Sequence, residues 1–368
     1  MNFCLDARTA HPHFPGIGRY ALSLARGVAA GLEPSERLTL LRDPAGAPRR
    51  DFPDADAVQV VDVPLSPFTL RQQWMIPRLM WRLDAQLYHS PYYLIPFRPG
   101  IASIVTMHDF IPMRYPQFFT PVQRLVFAFS VRLAARAARL IITLSAATAR
   151  DVERFLQIAP ERIVVVPAAA DPAFRPRPVA EVAALCARLH LPERYVLYVG
   201  SNKPHKNLVR LIDAWARLQP QPFPLVLAGP WDTRYPETRR RVAMLDLGPA
   251  VRFLGAVTAA DLPVLYAGAL ALVLPSEFEG FGFPAVEAMA CGVPVVCSNT
   301  ASLPEVAGDA AVLFDPLDAE AMARAIGTVL NDAGLRADLK RRGVERAALF
   351  SWEQAAQATL RAYRRLVT

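Results

Sequence analysis

The residues best suited to chemistry lie in Ser276–Pro294, SEFEGFGFPAVEAMACGVP. Two carboxylates, Glu279 and Glu287, stand eight residues apart around the turn Gly280-Phe281-Gly282, with Phe283 following. The apolar run Leu270–Leu274 ahead of them reads as a buried strand. Pro284 suits the first turn of a helix, and Gly292 with Pro294 two residues on stops that helix. A glycine-flanked turn lets backbone N–H groups approach an anion, and the helix start adds its positive dipole end. A carboxylate just before such a turn cannot itself bind phosphate, but it suits hydroxyl groups such as those of a sugar. The second carboxylate, about two helical turns further on, can take another diol such as a ribose. The plainer alternative is a strand–loop–helix unit with two solvated glutamates.

Cations of matching use occur at Tyr195–Val199 followed by GSNKPHKNLVRLIDAW, a strand, glycine, polar loop and helix in the order of a phosphate site. The chain has only three lysines, and Lys203 and Lys206 share this loop. Lysine supplies a compact positive charge for a diphosphate leaving group. Near the N-terminus, the strand-like Asn2–Asp6 precedes GIGRYALSLARGVAA, whose apolar spacing is helical. Gly16 and Gly18 satisfy a loose G-x-G-x-x-G/A pattern, but they trail the strand by about ten residues instead of forming its tight turn. They fit a glycine loop leading into a phosphate-facing helix start, or a helix start that needs glycine for backbone reasons alone. Ala102–Met107 is a strand ending in His108-Asp109, which sets both side chains at the edge where α/β sheets bind ligands. A lone histidine is more often simply a hydrogen-bonded residue.

The segment EGFGFPAVEAMACGVPVV resembles the paired-glutamate signature of the family 4 retaining glycosyltransferases. That resemblance implies the GT-B fold, two Rossmann-like domains facing each other across a cleft. It implies that Glu279 contacts the donor sugar, that the amides after it meet sugar and phosphate, and that Glu287 binds the nucleotide ribose. Lys206, just before Asn207, matches the family lysine on the donor phosphates. Ser201, Lys203 and His205 are the candidates where many members carry an arginine. GIGRY is similar to the family's phosphate loop, TMHDFIPMRYP to the segment whose histidine sits near donor and acceptor, and Val257 to a backbone contact with the nucleobase. One departure is Ala168–Ala170, where the family has a glycine. GIGRY and KPHKN are most similar to mannosyl- and rhamnosyltransferases of bacterial surface polysaccharides. The resemblance therefore implies hexosyl transfer from a nucleotide diphosphate sugar, GDP-mannose first, to a glycan such as a lipid-linked oligosaccharide. Other donors (dTDP-rhamnose, UDP-glucose, UDP-N-acetylglucosamine), a GT-B-like nucleotide-sugar epimerase and an NAD-dependent oxidoreductase are the competing readings. No cofactor is expected, nor a metal.

The elements that must position these groups alternate strand and helix along the whole chain, which indicates two doubly wound parallel sheets. The expected domains are 1–170 for the acceptor, a proline-rich linker over 171–190, 191–348 for the nucleotide sugar, and a helix over 349–368 crossing back to the first domain. At 368 residues, 53% apolar and 20% charged, the chain supports two cores and is not disordered. Four cysteines without CxxC or Cys/His spacing suggest neither disulfides nor a metal site, and a reduced, cytoplasmic setting. No basic leader is apparent, and no uncharged apolar run reaches the ~20 residues of a spanning helix. The net charge of +8 is uneven: residues 1–185 carry +6 and the rest +2. This basic excess suits an anionic membrane surface, and no nucleic-acid module is recognised. Two segments are candidates for peripheral membrane contact. One is Pro67–Leu83, with aromatics among Arg71, Arg78 and Arg82. The other is the helical Thr120–Leu140, with Arg124, Arg132, Arg136 and Arg139. In both, the alternative is a helix packed on the core with its arginines in water.

Overall fold

In the computed structural model, which describes residues 1–11, 15–218 and 223–367, β1 (Asn2–Asp6) has parallel neighbours on both sides. Phe3 stands opposite Leu38 of β2 (Arg37–Arg42) and opposite Leu87 of β4 (Leu87–Ser90). β3 (Val58–Asp62) lies beyond β2. β5 (Ala102–Met107), β6 (Leu140–Thr143) and β7 (Ile163–Val165) follow β4, giving the order β3-β2-β1-β4-β5-β6-β7. The chain builds outward from β1 on one side and then returns to its other side, so the order reverses between β1 and β4. That reversal is where open α/β sheets offer ligands a crevice at the strand C-termini. His108 lies one residue past the end of β5, beside this point.

The strands show why the parallel sheet forms. β5 and β6 are apolar and buried on both faces, as strands covered by helices must be. Helices Gln72–Arg82 and Pro121–Ala137 cover one face, where Ile76, Met80, Phe127 and Val131 share a core with Tyr88, Val105 and Ile141. Helix Pro15–Ala30 packs with the terminal helix Trp352–Val367. A Cβ on Gly27 would meet the Ala356 Cβ at 2.8 Å, so glycine lets these two helices approach closely. This unit comprises Met1–Ala168 and Ser351–Thr368.

The second unit, Ala169–Phe350, repeats the plan around β8 (Val196–Val199). With β9 (Leu225–Ala228), β10 (Val251–Gly255), β11 (Ala271–Leu274), β12 (Val295–Ser298) and β13 (Ala311–Phe314), the order is β10-β9-β8-β11-β12-β13, all parallel. Here the reversal falls between β8 and β11. The loops leaving those two strands carry Lys206 and Glu279. Trp215, fully buried, anchors the core under helix Leu208–Arg217.

Two stretches differ from the sequence expectation. The segment expected as a linker, 171–190, contains helix Val179–Arg188, with Leu185 and Cys186 buried in the second unit. The proline run sets only its start, at Pro178. Residues 318–348, whose sequence reads as helical throughout, form two helices, Ala319–Asn331 and Ala333–Ala348. Asp332 leaves helical geometry to end the first and accepts from Leu335 N–H at 2.9 Å to cap the second. Among the described residues, no helix is long and apolar enough to cross a membrane.

Candidate active site

In the second unit, Lys206 and Glu279 meet. Lys206 Nζ lies 2.7 and 2.8 Å from the two carboxylate oxygens of Glu279, and Ser276 donates its hydroxyl to the same carboxylate at 2.7 Å. Both ends of this pair are built locally. Lys206 closes a short 3-10 turn, Pro204–Lys206, that follows the β8 loop. Asn207 then takes a left-handed conformation (φ 60°), and its side-chain amide donates to Pro275 O at 3.0 Å and Pro316 O at 2.7 Å. Glu277 N–H donates to His205 O at 2.9 Å. The lysine loop and the glutamate loop are thus joined by backbone as well as by the ion pair.

The turn after Glu279 is held from behind. Ser302 donates to Glu279 O at 2.8 Å, Ser298 to Ser276 O at 2.6 Å and Thr300 to Glu277 O at 3.1 Å. Gly282 has φ 99°, and a Cβ there would meet Leu303 Cδ2 at 2.8 Å, so this position requires glycine. Helix Phe283–Ala290 starts directly after it, with Pro284 in the first turn and the Ala285 N–H donating back to Gly282 O at 2.9 Å, so the Gly282 and Phe283 amides lead the helix. Gly280 lies in the turn itself, whereas the Phe281 ring is buried against Phe283 and Phe350 and offers only its backbone. Glu287 lies deeper than a solvated glutamate: it is 2% exposed and accepts from the Tyr266 hydroxyl at 2.9 Å.

Other expected donor residues sit on separate loops of this unit. Ser201 follows the β8 glycine and accepts from Tyr198 OH through its carbonyl at 2.7 Å. Val257 is half-buried in the loop after β10. Between these loops, at the ends of β8, β9 and β10, a small cavity is lined by Gly200, Gly229, Gly255, Asn202, Trp231 and Arg239. Burial, with Lys206 and Lys203 nearby, pushes His205 down to about 2, so this imidazole is neutral and only the lysines charge the loop. His205, one of the candidates for the arginine's place, is therefore not a second cation.

In the first unit, Gly16 and Gly18 lie inside helix Pro15–Ala30. Gly16 is exposed with open space where a Cβ would stand, whereas a Cβ on Gly18 would press on the backbone of 9–11. Part of the expected loop, residues 12–14, lies outside the described residues. His108 donates from Nε2 to Pro91 O at 2.8 Å. Its ring stands edge-on to Tyr20 at 5.0 Å and 6.3 Å from Tyr92. Burial pushes its pKa down to about 4 against the opposing pull of the Pro91 bond, so it is a neutral hydrogen-bonding group at pH 7. Because Nε2 carries the proton for Pro91, Nδ1 is the acceptor nitrogen.

Sequence reasoning missed Ser276, Asn207, Ser302 and Tyr266, which hold the two glutamates and the lysine. Only Asn207 gave a local signal, as a polar residue at a helix start. Also missed was the buried pair of Asp6 with Arg8, whose Nε donates at 2.8 Å. Arg8 further donates to Leu65 O at 2.9 Å, fixing the end of β1 beside the first unit's reversal point.

Two doubly wound parallel sheets of this kind, in one chain, are the GT-B architecture. Comparisons agree at the levels of structure and sequence. Sucrose-phosphate synthase from Thermosynechococcus elongatus superposes with a TM-score of 0.79 at 24% identity, covering 100% of this chain and 99% of that one. The HepE protein of Anabaena superposes with 0.79 at 22% identity, covering 99% of each. The family model described as Glycosyltransferase Family 4 matches residues 15–174, and that described as Glycosyl transferases group 1 matches 188–346. The O-antigen chain mannosyltransferase B of Escherichia coli is 34% identical over 374 residues, 95% of this chain and 96% of that protein. This chain belongs to the family 4 glycosyltransferases.

Proposed function

We propose that this protein transfers a hexose with retention from a nucleotide diphosphate sugar to a glycan acceptor in cell-surface polysaccharide synthesis, with mannose from GDP-mannose as the donor. The observation that carries the reading is the Lys206–Glu279 pair between the β8 and β11 loops, beside the start of helix Phe283–Ala290. The name of the Escherichia coli relative supports mannose and the O-antigen type of product.

In this reading the bond from the anomeric carbon to the leaving diphosphate oxygen breaks while the acceptor hydroxyl oxygen bonds that carbon on the same face and passes its proton to the diphosphate. Lys206 turns from Glu279 toward the developing charge. The Gly282 and Phe283 amides share that charge with Lys206, as preorganised donors do best in a site shielded from water. In the first unit, Gly16 and Gly18 give the Pro15–Ala30 helix start a candidate phosphate contact of its own. Glu279, released from the lysine, accepts from sugar hydroxyls, and Glu287, oriented by Tyr266, accepts from the ribose. His108 Nδ1 accepts from a donor or acceptor hydroxyl. Ser201 and Val257 contribute backbone to phosphate and base. Lysine and amides replace a divalent cation, so the rate is independent of chelator. The acceptor is lipid-linked, and the protein works at the inner face of the cytoplasmic membrane with its arginine-rich first unit against anionic lipid.

A thermal-shift panel tests this: GDP-mannose, GDP, UDP-glucose, UDP-N-acetylglucosamine, dTDP-rhamnose and NAD. A ligand that binds only the native state raises its stability by mass action, by about 2.7 kcal/mol at a hundred times Kd. Stabilisation by the GDP ligands is expected. Stabilisation by another nucleotide family keeps transfer but changes the donor. Stabilisation by NAD alone, or conversion of free donor without acceptor, overturns the reading.

A further inference from the structure

The first unit leaves an unusual amount of apolar surface uncovered. Nine of the eighteen exposed large apolar side chains among the described residues fall in 68–81 and 122–129. In helix Pro121–Ala137 the exposed Val122, Leu125, Val126 and Phe129 repeat at three- and four-residue spacing, the spacing of one helix face. Arg132 and Arg136 continue that stripe. In helix Gln72–Arg82 and the residue before it, the outward face reads Arg71, Trp74, Met75, Arg78, Trp81, Arg82, with Trp81 83% exposed. Both helices bury their opposite faces in the same core on the same side of the sheet. They are linked by rings: Phe68 to Tyr92 at 6.2 Å, Tyr92 to Tyr93 at 4.2 Å and Tyr93 to Phe127 at 5.1 Å.

From this we infer that the outer faces of helices Gln72–Arg82 and Pro121–Ala137 form one membrane-docking surface, its apolar side chains entering the interface of an anionic bilayer and its arginines pairing with lipid phosphates. Contiguous exposed apolar patches of this kind are rare on soluble monomers and mark interaction sites. Charge decides the occupant. Neither helix contains Asp or Glu, and Arg71, Arg78, Arg82, Arg124, Arg132 and Arg136 make no ion pair among the described residues. A second copy docked by twofold symmetry would set these arginines against one another. An anionic bilayer neutralises them while taking the tryptophans at headgroup depth.

The surface also has a bearing on the acceptor, and in this it deepens the membrane contact proposed above and rests on that reading. Tyr92 touches the exposed Phe68 on one side and lies 6.3 Å from His108 on the other. One aromatic ring therefore separates the lipid-facing surface from the histidine assigned to substrate hydroxyls. A lipid-linked acceptor lying in the bilayer would bring its sugar end to His108 without leaving the membrane.

The test is co-sedimentation with vesicles of phosphatidylcholine alone and with 30% phosphatidylglycerol. The full chain is compared with L125E/F129E and with R132Q/R136Q, all at equal melting temperature. Wild type should bind the anionic vesicles. L125E/F129E should lose at least tenfold in affinity. R132Q/R136Q should lose about 30-fold at low salt, from about 1 kcal/mol per basic residue. Transfer to a water-soluble acceptor glycan should stay unchanged in both variants while transfer to a lipid-linked acceptor in vesicles falls. Binding unaffected by either variant overturns the docking surface. So does a concentration-dependent dimer in sedimentation velocity without lipid that L125E/F129E abolishes. If no sugar transfer is found but the variants still lose vesicle binding, the docking surface stands and the transferase reading falls.

Discussion

Lys206 and Glu279 hold each other, with Nζ at 2.7 and 2.8 Å from the two carboxylate oxygens and the pair only partly open to solvent. A cation and a carboxylate, each proposed for a different part of the donor, thus neutralise one another in this arrangement. Lys206→Ala should lower kcat/KM by about 10²–10³, the usual cost of losing one donor to developing charge. It should also destabilise the protein by about 2 kcal/mol, since among the described side chains Glu279 keeps only the Ser276 hydroxyl, and a partly buried pair costs less to break than a fully buried one. Glu279→Gln should keep the fold and lose transfer by a similar factor. Steady-state kinetics and thermal melts check this, and wild-type rates in either variant would remove the pair from the site.

For His108 the expected behaviour follows from its bond to Pro91 and its depressed pKa of about 4. A residue that is neutral down to that value contributes no ionisation to the rate between pH 5 and 8. His108→Gln, which retains an acceptor, should lose less activity than His108→Ala, for which a loss of about 10²-fold is expected. Neither should shift the neutral limb of the pH–rate profile. A profile whose limb near pH 6–7 vanishes in His108→Ala would instead make this imidazole a proton carrier.

The contrast between what the sequence showed and what it hid is one of range. β1 and β5 were legible to the residue because a parallel strand buried on both faces is a short apolar run between turn residues. Glu279, Gly282 and Lys206 were legible because turn geometry and lysine scarcity are local facts. The pairing of Lys206 with Glu279 joins positions 73 apart and has no periodicity to report it. The burial of Glu287 under Tyr266 is likewise tertiary. Asp332 was hidden for a different reason: one residue both ends a helix and caps the next, so two apolar periods run together.

Burial of His89 gives the first unit an acid sensitivity of its own. The ring is fully buried between Tyr363 OH at 2.7 Å and Thr106 Oγ1 at 2.9 Å, and burial, with His108 nearby, pushes its pKa to about 3. In the unfolded chain it titrates near 6.5. Protonation therefore favours the unfolded state: the contribution is complete above about pH 6.5 and is lost as pH falls toward 3. The slope is at most about 1.4 kcal/mol per pH unit. Urea melts from pH 7.5 to 4.5 should show His89→Gln less stable at neutral pH by about 1–3 kcal/mol, through lost hydrogen bonds, and less steeply dependent on pH. Parallel pH curves for the two proteins would contradict the buried neutral imidazole.

Asn207 offers the sharpest separation of fold from site. Its left-handed backbone is one that glycine also adopts, whereas its amide bonds to Pro275 O and Pro316 O are its own. Asn207→Gly keeps the turn and removes both bonds. Asn207→Ala removes the bonds and adds about 1 kcal/mol of strain at positive φ. Stability should therefore fall in the order wild type, Asn207→Gly, Asn207→Ala, with about 1–3 kcal/mol lost at the first step because two buried carbonyls lose a donor. Arg210, which bonds both Asn207 Oδ1 at 2.8 Å and Pro316 O at 3.2 Å, is positioned to retain part of the link. If the amide bonds place Lys206 against Glu279, both variants should lose kcat/KM by a similar factor of about ten or more, although only one carries backbone strain. Activity that stays at the wild-type level in Asn207→Gly and falls only in Asn207→Ala would show that the turn alone positions the lysine.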